Sequence, residues 1–105
     1  MRTKNRPPAH PGRILKNLYL SPLGISNTKL AQATGVSRKA ISQIVNERKS
    51  VTPEMSLRLS CAFPNTSPDF WMNLQKNFDL WHATRNFQDE HNIQPLFNAL
   101  VNIPA

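Results

Sequence analysis

Residues 27–46 read NTKLAQATGVSRKAISQIVN, two short helical patterns joined at Gly35. Ser26 stands as an N-cap, and Leu30, Ala31 and Ala33 recur on one side, which predicts a helix over about 27–34. Gly35 takes positive φ without a Cβ clash and so ends that helix sharply. Val36 plugs the turn. Ser37 caps a second helix over about 38–46, whose Ala40, Ile41, Ile44 and Val45 form an apolar stripe. Ala31 falls where the two helices cross, and its small side chain lets the backbones approach at a steep angle.

Opposite the stripe lie Arg38, Lys39, Ser42, Gln43 and Asn46. Arg pairs with guanine O6 and N7, and Gln with adenine N6 and N7. Arg48 and Lys49, just past the helix, suit backbone phosphate, as do Asn27 and Thr28 at the start of the first helix. The pattern is a helix-turn-helix, whose second helix enters the major groove, with Ser37 at its lip. A plain helical hairpin with a solvated charged face needs neither Gly35 nor Ala31 at these offsets. Double-stranded operator DNA is the expected partner.

The charge distribution agrees with this unit. The chain of 105 residues carries a formal +7. Residues 1–16 contribute +5, residues 17–49 contribute +4, and residues 50–105 contribute −2. A polyanion is expected to meet the first half, leaving the second for other work. With 39% hydrophobic residues the chain suits one small domain with a single core. No apolar run reaches the ~18 residues of a membrane span, and no h-region follows the basic N-terminus, so no membrane partner and a cytoplasmic setting are expected. Cys61 is the only cysteine, which excludes an internal disulfide and suggests a buried structural thiol.

The remaining punctuation predicts an all-α fold of five helices. Residues 1–10 read as a flexible basic arm, with Pro7 and Pro8 opposing regular structure. Pro11 opens helix one, about 11–20, with Ile14, Leu15, Leu18 and Tyr19 at helical spacing, and Ser21-Pro22-Leu23-Gly24 ends it. Thr52-Pro53-Glu54 starts helix four, about 53–62, with Met55, Leu59 and Ala62 or Phe63 as its inner face. Ser67-Pro68-Asp69 repeats that signal for helix five, about 68–84. The domain thus spans 11–84, and 85–105 is a short C-terminal tail, in which Pro95–Val101 suits a further helical turn or ordering by a partner.

Helix five is unusually aromatic. Phe70, Leu74, Phe78 and Trp81 follow one helical line, flanked by Trp71 and Leu80. A small domain has more aromatic area here than one core needs, so Phe70, Trp71, Leu74, Phe78 and Trp81 are expected at a homodimer interface. A two-fold pair would set half-sites ~34 Å apart. The competing reading is an intramolecular core helix.

Three stretches resemble the Cro/cI-like helix-turn-helix family, often called XRE, and most closely its HigA/VapI branch of antitoxins. They are His10–Leu15 with Pro22-Leu23-Gly24, Leu30–Asn46, and Thr52–Leu59 with Ser67–Trp81. The resemblance implies a five-helix DNA-binding core, a homodimer, and an antitoxin that represses its own operon and neutralises a HigB-like mRNA-cleaving toxin. It places Ser37, Arg38, Lys39, Ser42, Gln43 and Asn46 on the DNA face. Arg13 replaces an acidic residue common after His-Pro-Gly, and Pro64-Asn65-Thr66 replaces a Gly-Thr or Asp-Thr pair. Alternatives are a regulator without a toxin and a module that chiefly inhibits a partner enzyme. An RNA-binding role lacks an aromatic platform on the basic half. His10, His82 and His91 are too scattered for a metal site, the glycines form no phosphate loop, and Asp69 and Glu54 are helix-start residues. No catalytic residue, metal or cofactor is therefore expected.

Overall fold

A computed structural model describes residues 6–96. Residues 1–5 of the basic arm, and Phe97 onward in the expected extra turn, lie outside the described residues. Among those described, the fold is all-α with five main helices. These are α1 (residues 11–23), α2 (Asn27–Thr34), α3 (Arg38–Val45), α4 (Pro53–Ala62) and α5 (Pro68–Asn86), followed by a single 3-10 turn at Glu90–Asn92. The N-caps are those the sequence names: Ser26, Ser37, Thr52 and Ser67 each accept a backbone N–H from three residues on.

Helix α1 outruns its expected end near residue 20 and stays helical to Leu23, where Gly24 takes φ 65°. The cause is a π-helical stretch, Leu15–Leu20, in which the Ser21 N–H reaches back five residues to the Lys16 carbonyl. Pro22 has no N–H, and its ring would crowd the carbonyl four residues back in a regular helix. A wider turn just before it relieves that conflict. The same turn changes which side chains face inward. Leu15 and Leu20, five apart, are buried, whereas Leu18 is 60% exposed rather than inward.

The core gathers Leu15 and Leu20 of α1, Leu30 and Ala31 of α2, and Ile41, Ile44 and Val45 of α3 against Leu59, Phe63 and Trp71. Thr34 takes the inward place expected of Ala33, which is exposed; the Thr34 hydroxyl donates to the Leu30 carbonyl at 2.7 Å. Cys61 is exposed, not buried: Leu59 points into the core, and two residues further turn the helix by just over a half-circle.

Trp71 is not at an interface. It is 0% exposed, ringed by Tyr19 and Phe70 at 5.5 and 5.0 Å, and its indole N–H donates to the Thr66 hydroxyl at 2.9 Å. That hydroxyl donates in turn to the Phe63 carbonyl at 2.8 Å. The Pro64–Thr66 loop therefore supplies the polar partner that lets an indole be buried. Phe70 and Leu74 also pack on the core, so the first half of α5 closes the domain.

Candidate nucleic-acid interface

Helices α2 and α3 are eight residues each and meet at Gly35, with φ 77°. Its N–H and that of Val36 both donate to the Ala31 carbonyl, at 2.9 and 3.2 Å. Ile41, Ile44 and Val45 bury one side of α3. At 3.6 residues per turn, Arg38, Ser42, Asn46, Lys39 and Gln43 then fall within one arc of ~140° on the opposite side. Arg38, Lys39 and Asn46 are exposed, as is Ser37; Ser42 and Gln43 are half-buried. The Asn46 amide donates to the Ser42 hydroxyl at 3.2 Å, which holds those two polar groups side by side. Asn27 and Thr28 open α2, half-buried and exposed respectively.

The exit of α3 is built with unusual care. Glu47 sits at φ 63°, a left-handed conformation normally left to glycine. Its N–H donates to the Ile44 carbonyl at 2.9 Å, and the N–H groups of Arg48 and Lys49 donate to the Gln43 carbonyl at 2.8 and 3.2 Å. The chain folds back over the last turn and leaves both basic side chains exposed. The Glu47 carboxylate is matched by Arg13 at 3.5 Å, so the one acid in this basic region already has a cation beside it.

Four residues outside the α2–α3 unit hold it in place, and sequence reasoning gave none of them that role. Arg58 of α4 donates to the Thr34 carbonyl at 2.7 Å, closing the end of α2, while Glu54 steadies its guanidinium at 2.9 Å. Gln75 of α5, buried, accepts the Val51 N–H at 2.8 Å and donates to Asp79 at 3.0 Å. Gly12 lies so close to Ile44 that a Cβ would overlap the Ile44 carbonyl oxygen and sit 2.8 Å from its carbon. His10 caps α1 by accepting the Gly12 N–H at 2.8 Å on Nδ1. It belongs to the folded domain rather than to a flexible arm, being 3% exposed. Burial lowers its imidazole below the usual value near 6.5, against the upward pull of Glu47, of Asp79 and of a backbone hydrogen bond to Lys49. His-Pro-Gly is visible in the sequence as a pattern; that it packs on α3 is not.

The rest of the aromatic line is less enclosed. Phe78 and Trp81 are half-buried, Leu80 is 58% exposed and Phe87 is 51% exposed. Phe78 touches His82 at 4.3 Å, His82 touches Trp81 at 5.0 Å, and the Arg85 guanidinium lies 4.8 Å over the Trp81 ring. The apolar surface that α5 leaves exposed is on its C-terminal half. Among the described residues no cluster of His, Cys, Asp or Glu could hold a metal ion, and no helix is long and apolar enough to cross a membrane.

Two short helices around a positive-φ glycine, the second clamped on its apolar side and lined with Arg, Lys and Gln on the other, define a DNA-binding regulator of the helix-turn-helix class. The helix-turn-helix family profile matches residues 15–71. Antitoxin HigA-1 of Vibrio cholerae is 38% identical over 101 residues, covering 95% of this chain and 94% of its own. The solved structure of antitoxin GraA superposes with a TM-score of 0.82 at 39% identity, over 88% of this chain and 100% of that one. Pseudomonas aeruginosa antitoxin HigA, solved with the higBA promoter, gives 0.76 at 40% identity, over 86% of this chain and 99% of that one. The chain belongs to the HigA/VapI-like branch of the Cro/cI-like, or XRE, helix-turn-helix family.

Proposed function

We infer that this protein binds operator DNA as a homodimer, represses its own operon, and neutralises a HigB-like mRNA-cleaving toxin. The observation that carries the DNA half is the arc of Arg38, Lys39, Ser42, Gln43 and Asn46 on α3, held by a buried opposite face. Arg38 and Gln43 read base edges, while Asn27, Thr28, Arg48 and Lys49 grip phosphate. HigA of P. aeruginosa was solved with its promoter and GraA with its operator, which supports the same use of α3 here. Pairing uses Phe78 and Trp81, with Phe70 and Leu74 at its inner edge. The antitoxin half rests on the relatives alone.

An electrophoretic shift on the DNA upstream of the protein's own gene tests the first half. Binding survives competitor DNA and weakens with salt, with a log–log slope of about −0.9 for every phosphate neutralised. Co-expression with a small ribonuclease encoded beside it tests the second; toxicity that persists removes the antitoxin role. A regulator without a toxin is the second reading. It is favoured by Arg13, which stands where an acid is common and is engaged by Glu47 within the chain.

A further inference from the structure

We propose that His10 is a positioning residue for DNA binding: it fixes the exit of α3, with Arg48 and Lys49 on it, and ties that exit to the half of α5 used for pairing. The proposal rests on the DNA-binding reading above.

The start of α1 touches the exit of α3 at three successive points. Gly12 lies against the Ile44 carbonyl, Arg13 meets the Glu47 carboxylate at 3.5 Å, and the His10 ring faces the Lys49 backbone. His10 organises the other two. Its Nδ1 accepts the Gly12 N–H at 2.8 Å, which sets the first turn of α1 and therefore where Gly12 and Arg13 stand. An Nδ1 that accepts must be unprotonated, so the neutral ring carries its hydrogen on Nε2. One imidazole thus caps the first turn of α1 and stands against the exit of α3.

The turn held this way is conformationally strained. Glu47 at φ 63° is not glycine, and such a position persists only when its surroundings hold it. Arg48 and Lys49 depend on it for their direction, because both backbone N–H groups return to Gln43. The His10 ring also meets Phe78 edge-on at 4.9 Å, and Phe78 continues through His82 to Trp81. The wall of the turn and the wall of the pairing surface are therefore the same aromatic group.

His10→Asn separates the roles. The Asn oxygen can still accept the Gly12 N–H, and Asn is a favoured N-cap, but it brings no ring to Phe78. Affinity for operator and for random duplex is measured against salt, at a temperature where circular dichroism shows both proteins folded. The expected result is weaker operator binding, a smaller operator-to-random ratio, and a salt slope shallower by about 0.9 for every phosphate no longer neutralised. A purely structural role would lower the melting temperature and leave slope and ratio unchanged, and that result overturns the proposal. Should His10→Asn not fold, Phe78→Leu, checked as dimeric by sedimentation, is expected to reduce the slope in the same way, and an unchanged slope there is equally fatal. Wild-type protein without operator preference removes the DNA-binding reading, and this proposal with it, before any variant is made.

Discussion

Gly12→Ala sets helix propensity directly against packing. Within a helix, Ala is favoured over Gly by about 1 kcal/mol, so a free α1 would gain from the change. Here the new Cβ would lie 2.8 Å from the Ile44 carbonyl carbon and overlap its oxygen, where ordinary contact begins at 3.4 Å. The obstacle is backbone at the last turn of α3, so no side-chain rotation relieves it. Forcing such a group in costs about 1–3 kcal/mol. Withdrawing α1 instead loosens the His10 cap, worth about 1 kcal/mol. The net expectation is a loss of roughly 2 kcal/mol, which at ~4–8 °C per kcal/mol lowers Tm by ~8–16 °C. Thermal and urea unfolding by circular dichroism measure it. Gly24→Ala is the control: nothing lies within 4 Å of its Cβ, so only the φ of 65° is penalised, at about 1–2 kcal/mol. If Gly12→Ala melts at or above the wild-type temperature, α1 does not seat on Ile44 and the docking described for it is wrong.

Four further outcomes are expected. Arg38→Ala or Gln43→Ala costs about 1–3 kcal/mol in operator binding and relaxes sequence preference at one position, while Lys49→Ala weakens all duplexes alike, both read by competition shifts. Leu80→Glu together with Trp81→Ala yields monomers in sedimentation with the helical spectrum retained; a persistent dimer would place the interface elsewhere. Trp71→Ala destabilises by about 3–5 kcal/mol, read by urea unfolding, because it empties the core rather than an interface. Stability falls with acid below pH ~6.5, since burial lowers the His10 pKa in the folded state. The unfolded chain then binds the proton that the folded one refuses, so this contribution is present above that pH and lost as pH falls toward the folded value. Glu47 and Asp79 oppose the shift without cancelling it, and His10→Asn removes this part of the pH dependence in melts taken from pH 5 to 8.

The helices are legible because their signals are local. Ser26, Ser37, Thr52 and Ser67 cap what they precede, Gly35 ends α2, and the stripe from Ile41 to Val45 faces inward as its spacing requires. Helix α1 escapes its expected end for an equally local reason. Ser21-Pro22 is a stop signal in a regular α-helix, and nothing in the residue types announces the π turn that neutralises it. Trp71 escapes the interface expected of it because aromatic periodicity shows that a face is apolar, but not what covers it. Its cover includes Tyr19 of α1 and the Thr66 hydroxyl of the loop before α5, brought from two other segments.

The same limit explains why the polar arc of α3 can be read from sequence while its supports cannot. Each helix of the α2–α3 unit has eight residues, too short to persist in water on propensity alone. Their ends must be satisfied from elsewhere, and three distant segments do so. Arg58 takes the free carbonyl at the end of α2, Gln75 takes the Val51 N–H in the loop beyond α3, and Gly12 with His10 receives the exit of α3 itself. These partners lie 24 or more residues from the groups they serve, beyond any helical period. A face that reads DNA carries its chemistry in its own residues, so composition and spacing reveal it. The placement of the polar arc on α3 belongs to residues of other segments, and only folding brings them to it.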